Sequence, residues 1–307
     1  MPFKDWRVVG GAARFEVLPP ADGGSGPTLV GKGPIDRNGF LASPRVLSDF
    51  RLAVEVRLGS TESPKGEGMN SGIQIRSAEK DGTIAGLQIE IDPTERRWSG
   101  GVYDERGRGW LAPLKDNAAA MATFKPGEWN LYEIECIGPR IRTRVNGVAC
   151  AEWYDGSVSG LLAFQVHSGK ACEVAFRAPV LEELGAHAWR EGAGKVETDA
   201  ATSAWSCRLS AAARGVRVAV DRGGMAAIAA ADGTPIAEFA FAPKEAKSLA
   251  ESRHRLEIVW IDGRGAALLD GVRIAGLSLA QEPAAVRLSS AGLVVGAHAV
   301  LETTPLP

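Results

Sequence analysis

An Asn-Gly pair at positions 146 and 147 joins two short segments in which apolar and polar residues alternate, residues 141–145 and residues 148–152. Alternation with a period of two is typical of a β-strand that buries one face. Asn-Gly supplies the positive φ angles that a two-residue type I′ turn requires. The sequence therefore predicts a β-hairpin, and it restricts the surrounding domain to folds in which such hairpins pack face to face.

The same alternation recurs along the chain, for example in residues 50–57 and residues 132–137. The helical signal is confined to one short segment, residues 244–252. Glycine (37 residues) and proline (17 residues) are numerous, as expected where many short strands are separated by tight turns. We predict an all-β protein built of β-sandwiches.

The chain also contains an internal repeat. Residues 130–148 align without gaps to residues 254–272, with an Asp-Gly turn in place of Asn-Gly. The segment between the copies is rich in small and charged residues, which is typical of a linker followed by the opening of a new unit. We predict a first domain over residues 1–186 and a second, smaller β-sandwich of related design over residues 187–307. The second lacks the polar residues described below, so we expect a non-catalytic copy.

Composition excludes several classes of partner. The formal net charge is -2, so no basic excess is present to neutralise the phosphates of a nucleic acid. No apolar segment is long enough to span a bilayer, and the first residues lack the apolar core of a signal peptide. We expect a cytoplasmic protein that is not membrane-bound, although a chain whose export signal had been removed would read the same. The four cysteines show no CxxC spacing, and we expect reduced structural thiols.

Three predicted strands of the first domain carry unusual polar residues on one face. The first holds Gln74 and Arg76, the second holds Gln88, Glu90 and Asp92, and the third holds Gln165 and His167. If the strands are neighbours in one sheet, these side chains share a single surface. Such a surface offers donors and acceptors for sugar hydroxyls together with acid and base groups. The alternative interpretation is the ordinary solvated face of a sheet.

A glycine-rich loop, residues 98–110, adds aromatic and charged side chains. Tyr103 and Trp110 suit stacking on the apolar faces of sugars, and Asp104 and Arg108 suit hydrogen bonds to the hydroxyl rim. In the alternative interpretation, Asp104 and Arg108 pair to hold a turn, and the tryptophans cover the core.

Several short motifs follow the order found in one known family. They are Asp49-Phe50-Arg51-Leu52 leading to Glu55, Asn70-Ser71-Gly72-Ile73 leading to Arg76, the segment with Gln88, Glu90 and Asp92, Tyr103-Asp104-Glu105, and Gln165-Val166-His167-Ser168-Gly169. Over residues 3–184 the chain resembles the 3-keto-disaccharide hydrolase family. The resemblance implies a concanavalin-like jelly roll whose concave face handles glycosides oxidised at the sugar 3-position. One departure is Gly86, which stands where many members carry an acid.

The resemblance also implies roles for individual residues. We expect His167 to act as the base, because histidine ordinarily titrates nearest neutral pH. Arg76 would stabilise the enolate oxygen, and Glu90 or Asp104 would protonate the leaving oxygen. The expected substrate-binding residues are Asn70, Gln74, Gln88, Asp92, Tyr103, Arg108, Trp110 and Gln165. The assignment requires Arg76, Glu90 and His167 to converge in one hollow that holds a small glycoside.

Two other functions fit the same sequence. A binding module would hold carbohydrate on this face without chemistry, and a structural role would make the face a contact between subunits of a homo-oligomer. A two-carboxylate glycosidase is disfavoured, because no pair of acids is marked for that role. A divalent metal ion is an alternative cofactor, since one histidine with nearby carboxylates can hold it, although no HExxH spacing is present.

Overall fold

A computed structural model describes residues 3–20, 26–59, 70–169, 173–199, 201–243, 253–291 and 293–304. Within these ranges the chain is almost entirely β-structure, as predicted, and its one α-helix is the single turn α1 (Ala118–Met121). The helix predicted at residues 244–252 lies outside the described residues.

The chain forms two compact units. The first consists of Met1–Ile137, Ile141–Trp153 and Ser159–Leu184, and the second of Gly138–Arg140, Tyr154–Val158 and Gly185–Pro307. The strand Glu173–Glu191 runs through the division between residues 184 and 185, so the predicted linker is wrong at this point: the chain passes from one unit to the next as regular β-structure.

The first unit is a jelly-roll sandwich of two antiparallel sheets. One sheet has the strand order β1-β4-β13-β6-β7-β8-β9, and the other has the order β12-β11-β10-β5-β14, with β3 and then β2 beside β14. The strands are β1 (Arg7–Gly10), β2 (Arg14–Leu18), β3 (Thr28–Lys32), β4 (Gly39–Ala42), β5 (Asp49–Leu58), β6 (Ser71–Lys80), β7 (Thr83–Ile91), β8 (Val102–Glu105), β9 (Gly109–Ala112), β10 (Asn130–Ile137), β11 (Arg140–Val145), β12 (Val148–Tyr154), β13 (Leu161–Val166) and β14 (Glu173–Glu191).

The core of this unit lies between the two sheets. Phe164 of β13 packs on Phe176 of β14 with ring centroids 4.5 Å apart. Ile73 of β6 lies opposite Phe164 in the register and is fully buried on the same side. Because side chains alternate along a strand, Gln74 and Gln165, which follow these residues, point to the other face of the sheet.

The seven-stranded sheet curls strongly. In the strand order β1 and β7 are separated by β4, β13 and β6. Nevertheless Val9 of β1, Phe40 of β4 and Ile84 of β7 belong to one buried apolar cluster, and Arg7 forms an ion pair with Glu79 of β6. The curl makes the side away from the core concave. We call this side the concave face: the apolar cluster fills one end of it, and polar side chains occupy the other.

The second unit is a smaller sandwich. One sheet has the order β15-β16-β23-β18-β19, and the other continues from the end of β14 through β24, β17, β20, β21 and β22. Its strands are β15 (Lys195–Asp199), β16 (Ala204–Arg208), β17 (Ala213–Val220), β18 (Gly224–Ala229), β19 (Pro235–Phe241), β20 (His254–Ile261), β21 (Arg264–Leu269), β22 (Val272–Ser278), β23 (Ala285–Ser289) and β24 (Val295–Thr304).

The strand bounds confirm the internal repeat. β20, β21 and β22 begin at the residues that the alignment matches to the starts of β10, β11 and β12. Asn146 (φ 49°) and Gly147 (φ 79°) in the first copy have the same left-handed conformation as Asp270 (φ 50°) and Gly271 (φ 78°) in the second. Both pairs form the predicted type of turn.

The cysteines that the structure describes are buried and free, as predicted. They are Cys136, Cys150 and Cys207, whereas Cys172 lies outside the described residues. Burial raises the pKa of the Cys136 thiol to about 12 and that of Cys150 to about 11, so both are protonated at neutral pH. In the described ranges, no helix has the length and apolar character needed to cross a bilayer.

Candidate functional site

The three strands that carry the polar residues are neighbours, in the order β13-β6-β7, and β8 follows. Gln74 of β6 lies opposite Gln88 of β7, and Gln88 lies opposite Tyr103 of β8. These side chains share the concave face with Gln165 of β13, which lies opposite Phe40. The sequence analysis predicted this juxtaposition from alternation alone.

Glutamine side chains on the concave face form a hydrogen-bonded chain that ends on Glu90. Gln88 donates from Nε2 to Glu90 Oε2 over 2.8 Å. Gln74 and Gln165 each donate from Nε2 to Gln88 Oε1, over 2.7 and 3.1 Å. None of the four residues is more than 2% exposed. The chain is therefore a buried polar network, not the solvated face of the alternative interpretation.

Glu90 also accepts hydrogen bonds from residues other than these glutamines. Asn70 Nδ2 donates to Glu90 Oε1 over 3.0 Å, and Arg96 lies 3.4 Å from the same oxygen. Burial raises the pKa of Glu90, against the opposing effect of the bonds from Asn70, Gln88 and Arg96. A carboxyl with this balance keeps a proton more readily than an exposed glutamate does.

Asp92, at the end of β7, fixes the loop that follows it. Its carboxylate accepts hydrogen bonds from the Thr94 backbone N–H (3.0 Å) and hydroxyl (2.6 Å), from Arg96 Nε (2.8 Å) and from the Trp98 N–H (3.2 Å). Burial disfavours its ionised form, but these bonds outweigh it and lower the pKa of Asp92. Because both oxygens are already occupied, Asp92 supports the site instead of contacting a sugar as expected.

An aromatic cluster lies beside the acids. Trp110 is in edge contact with Trp98, at 4.7 Å between ring centroids, and with Tyr103, at 5.2 Å. The Arg96 guanidinium lies over the rings of Trp98 (5.4 Å) and Trp110 (4.8 Å). Arg96 therefore connects Glu90 and Asp92 to the two tryptophans, in an arrangement that combines a stacking surface with hydrogen-bonding groups.

His167 follows β13 and is near enough to Glu105 for its charge to act on that carboxyl. Its Nδ1 lies 2.9 Å from the carbonyl oxygen of Ser168. A carbonyl only accepts, so Nδ1 carries the hydrogen and Nε2 of the neutral ring is the lone-pair nitrogen. Burial raises the pKa of Glu105, whereas the nearby His167 and a bond from Asn38 lower it. Asn38 lies between Glu105 and the residue after His167: its Nδ2 is 3.5 Å from Glu105 Oε1, and its Oδ1 accepts a hydrogen bond from the Ser168 N–H over 2.9 Å.

The predicted position of Arg76 is wrong. The register of β6 shifts between Ile75 and Ala78, and Arg76 adopts a left-handed φ of 48°, so a β-bulge breaks the alternation. The Arg76 side chain is completely buried on the core side, with its guanidinium 3.9 Å from an Asp49 oxygen. It lies away from Glu90 and His167, so the three residues do not converge and Arg76 has no place in the site.

The predicted roles of Asp104 and Arg108 are also wrong. Asp104 pairs with Leu87, on the opposite side of β8 from Tyr103, and its carboxylate forms an ion pair with Arg108. Gly107 in the intervening turn has no room for a side chain, because a Cβ there would lie 2.4 Å from an Asp104 oxygen. The pair holds the turn, as the alternative interpretation predicted.

Sequence reasoning missed Glu105, Arg96 and Asn38. Alternation could have found Glu105, since it lies two residues after Tyr103 and therefore shares its face. Glu105 also lies directly opposite Gly86, and a side chain at Gly86 would meet Ser77 at 2.8 Å. Arg96 and Asn38 stand outside regular strands, where no period applies.

A metal centre has no support in the described residues. No group of three His, Cys, Asp or Glu side chains lies close enough to hold an ion within those ranges. The residues described therefore do not fit the divalent cofactor considered from the sequence, and the steps derived below use protein groups alone.

The amino-acid sequence of the first unit matches a known protein family. The sequence profile of the family described as "3-keto-alpha-glucoside-1,2-lyase-like domain" matches residues 3–181, more than half of the chain. The chain belongs to this family. The lyase-like domain coincides with the jelly roll and includes both His167 and the network on Glu90. No curated protein sequence matches the chain significantly.

Several solved structures resemble the lyase-like domain at low sequence identity. The carbohydrate-binding module CBM66 from Bacillus subtilis is 15% identical, with a TM-score of 0.43, over 58% of this chain and 96% of that one. A candidate glycosyl hydrolase from Parabacteroides distasonis is 20% identical, with a TM-score of 0.40, over 58% and 99%. A Bacillus subtilis protein of unknown function with a galectin-like fold is 14% identical, with a TM-score of 0.40, over 59% and 90%.

Proposed function

We propose that the first unit is a carbohydrate-active enzyme that cleaves the glycosidic bond of 3-keto-glycosides. The observation that carries the proposal is the buried hydrogen-bonded network on Glu90, which shares the concave face with Glu105 and lies on the sheet whose strand β13 leads into His167. A histidine whose Nε2 is the lone-pair nitrogen, with a carboxyl near it, is the arrangement of a general base. Membership of the lyase-like family supports the same reaction class.

The chemistry follows from the ketone. A carbonyl at C3 acidifies the hydrogen at C2, and His167 Nε2 takes that proton while the C2–H electrons form an enolate on the C3 oxygen. The enolate then returns its electrons to form a C1–C2 double bond, and the C1–O bond breaks. The leaving oxygen takes a proton from an acid of the protein, and addition of water at C1 completes a net hydrolysis.

Each step has a residue on the concave face. Arg96 takes the enolate-stabilising role that the sequence analysis gave to Arg76, because it is a cation held beside this network. Glu90 protonates the leaving oxygen, since burial raises the pKa of this carboxyl as in other general acids. Glu105 supports the imidazolium that His167 becomes. Trp110 and Tyr103 offer the stacking surface for the sugar ring.

A panel of 3-keto-glucosides and their unoxidised parents, analysed by mass spectrometry, tests the proposal. We expect turnover of the 3-keto compounds only, and its loss in His167→Ala with the fold intact. His298→Ala in the second unit is the matched control and is expected to retain activity. Turnover by His167→Ala would contradict the base assignment, and failure to cleave any 3-keto compound would contradict the function.

A carbohydrate-binding module is the second candidate. It is favoured by the amide network, because Gln74, Gln88 and Gln165 recognise hydroxyls without needing any acid or base. Titration calorimetry with the unoxidised parents distinguishes the two functions. Binding of these sugars without turnover of their 3-keto forms would support the module.

A further inference from the structure

The direction of the amide hydrogen bonds on the concave face follows from Glu90. Gln88 donates from Nε2 to Glu90 Oε2, and Glu90 Oε1 accepts from Asn70. Gln88 Oε1 is then the acceptor that faces the two other glutamines, and both Gln74 and Gln165 donate to it from Nε2. The bond to Glu90 thereby fixes the orientation of three amides.

The two outer glutamines differ in what their oxygens meet. Gln74 Oε1 accepts a hydrogen bond from Ser77 Oγ over 2.8 Å. Gln165 Oε1 is buried, and no donor for it exists among the residues that the structure describes. Buried acceptors in native proteins nearly always have a donor, which a water or a ligand supplies where the protein does not. Among the described residues, the network therefore leaves one acceptor for a water or a ligand to satisfy.

We infer that Gln165 is a specificity-determining residue whose Oε1 accepts a hydrogen bond from one hydroxyl of the bound sugar. The inference rests on the proposed function and adds to it the kind of group that is recognised at this position. A hydroxyl satisfies the oxygen, whereas a hydrogen or an anionic group in its place does not. The carboxyls of Glu90 and Glu105 on the same face also favour a donor over an anion.

One weak side-chain contact spans the concave face. Asn38 precedes β4 and Glu105 ends β8, and three strands separate β4 from β8 in the sheet, so the contact between their side chains crosses the concave face. At 3.5 Å it is at the outer limit of a hydrogen bond and therefore weak. A sugar can replace it with its own hydroxyls as it enters.

A double-mutant cycle tests the inference. The ligands are methyl 3-keto-α-glucoside and its 2-deoxy, 4-deoxy and 6-deoxy analogues, measured by titration calorimetry in the His167→Ala background to prevent turnover. We expect one analogue to bind about 10-fold or more weakly than the parent, because the buried oxygen then stays unsatisfied. In Gln165→Met the ratio of the Kd values of this analogue and the parent ligand should fall to about one, because the oxygen that distinguishes them is gone. In Gln74→Met, which removes the same bond to Gln88 but no unmatched oxygen, the ratio should persist.

The outcomes separate this inference from the proposed function. An equal ratio with and without Gln165→Met overturns the inference and assigns the oxygen to an internal water. If the protein with His167 intact cleaves methyl 3-keto-α-glucoside but the ratio of Kd values does not change in Gln165→Met, the proposed function stands and the inference about Gln165 does not. If the ratio of Kd values depends on Gln165 but the protein with His167 intact cleaves no ligand, the inference stands and the first unit is a binding module. Absence of binding by every ligand overturns the inference, and thermal unfolding of each variant shows that it is folded.

Discussion

Arg96 donates a hydrogen bond from Nε to Oδ2 of Asp92 over 2.8 Å. The planar guanidinium uses its edge for this bond and its face for the tryptophan rings, which a lysine could not do. Because Asp92 directly follows β7, the bond ties the loop that contains Arg96 to the end of a sheet strand. Arg96 is thereby held beside Glu90.

Replacing Arg96 with Gln should lower kcat/KM for a 3-keto-glucoside about 100-fold or more, because it removes the cation beside the developing enolate. Arg96→Lys keeps the charge and should restore part of the loss. Steady-state kinetics measure both variants. Arg97 is the next residue, is exposed, and provides the matched control Arg97→Gln, which should stay within about twofold of the parent protein. An equal loss at both positions would rule out a specific role for Arg96.

Asp92→Asn should destabilise the fold by about 2 kcal/mol at pH 7, because the neutral amide replaces a carboxylate with charge-assisted bonds. The pKa of Asp92 is lowered in the folded state, so its stabilising contribution is present above the unfolded-state value and is lost as pH falls through the lower folded-state value. Urea unfolding from pH 7 down to about pH 3 should show the two proteins converging. Glu95→Gln in the same loop is exposed and should show no such convergence. A difference that stays constant with pH would contradict this account.

Arg76→Met separates stability from function. The substitution leaves the buried Asp49 carboxylate without its ion pair, which should cost about 3 kcal/mol of unfolding free energy. Below the unfolding temperature, kcat/KM should remain within about twofold, since Arg76 lies on the core side of β6. Chemical denaturation and kinetics on the same preparation measure the two effects. A folded variant with a large loss of kcat/KM would restore the original expectation for Arg76.

Glu105→Gln should lower kcat about 100-fold, because it removes the carboxyl group near the proposed base His167. The amide keeps the length of the side chain and can still bond to Asn38, so substrate binding should change little. Glu128→Gln, at an exposed position outside the site, is the control. If kcat is retained while KM rises, Glu105 binds substrate and does not assist the base.

Alternation and turn chemistry were sufficient to predict an all-β sandwich, whereas the jelly-roll topology of the first unit was predicted from the family resemblance. The Asn-Gly hairpin, the repeat that places β20 to β22, and the shared face of Gln74, Gln88 and Gln165 all follow from a period of two. The same rule fails at Arg76, because a bulge inserts residues into β6 and turns the side chain to the opposite face. A bulge depends on how neighbouring strands meet, and a single strand's sequence does not encode that information.

The remaining parts of the site depend on tertiary structure. Asp104 and Glu105 are adjacent acids, and only the register of β8 against β7 decides which of them faces the concave side. Arg96 belongs to a loop whose path is set by hydrogen bonds to Asp92, and Asn38 reaches Glu105 only because the sheet curls. The sequence predicted that the site contains carboxyl, guanidinium and amide groups. The fold determines which residues provide them.

The apolar cluster at the far end of the concave face limits which part of a glycan can enter. Val9, Phe40 and Ile84 fill that end, and Arg7 forms an ion pair with Glu79, so protein side chains occupy the space that a sugar would need there. The interior of a polysaccharide needs an exit on both sides, whereas a terminal sugar needs only an entrance. If the first unit acts on glycosides as proposed, this end of the face favours a terminal sugar over the interior of a polysaccharide.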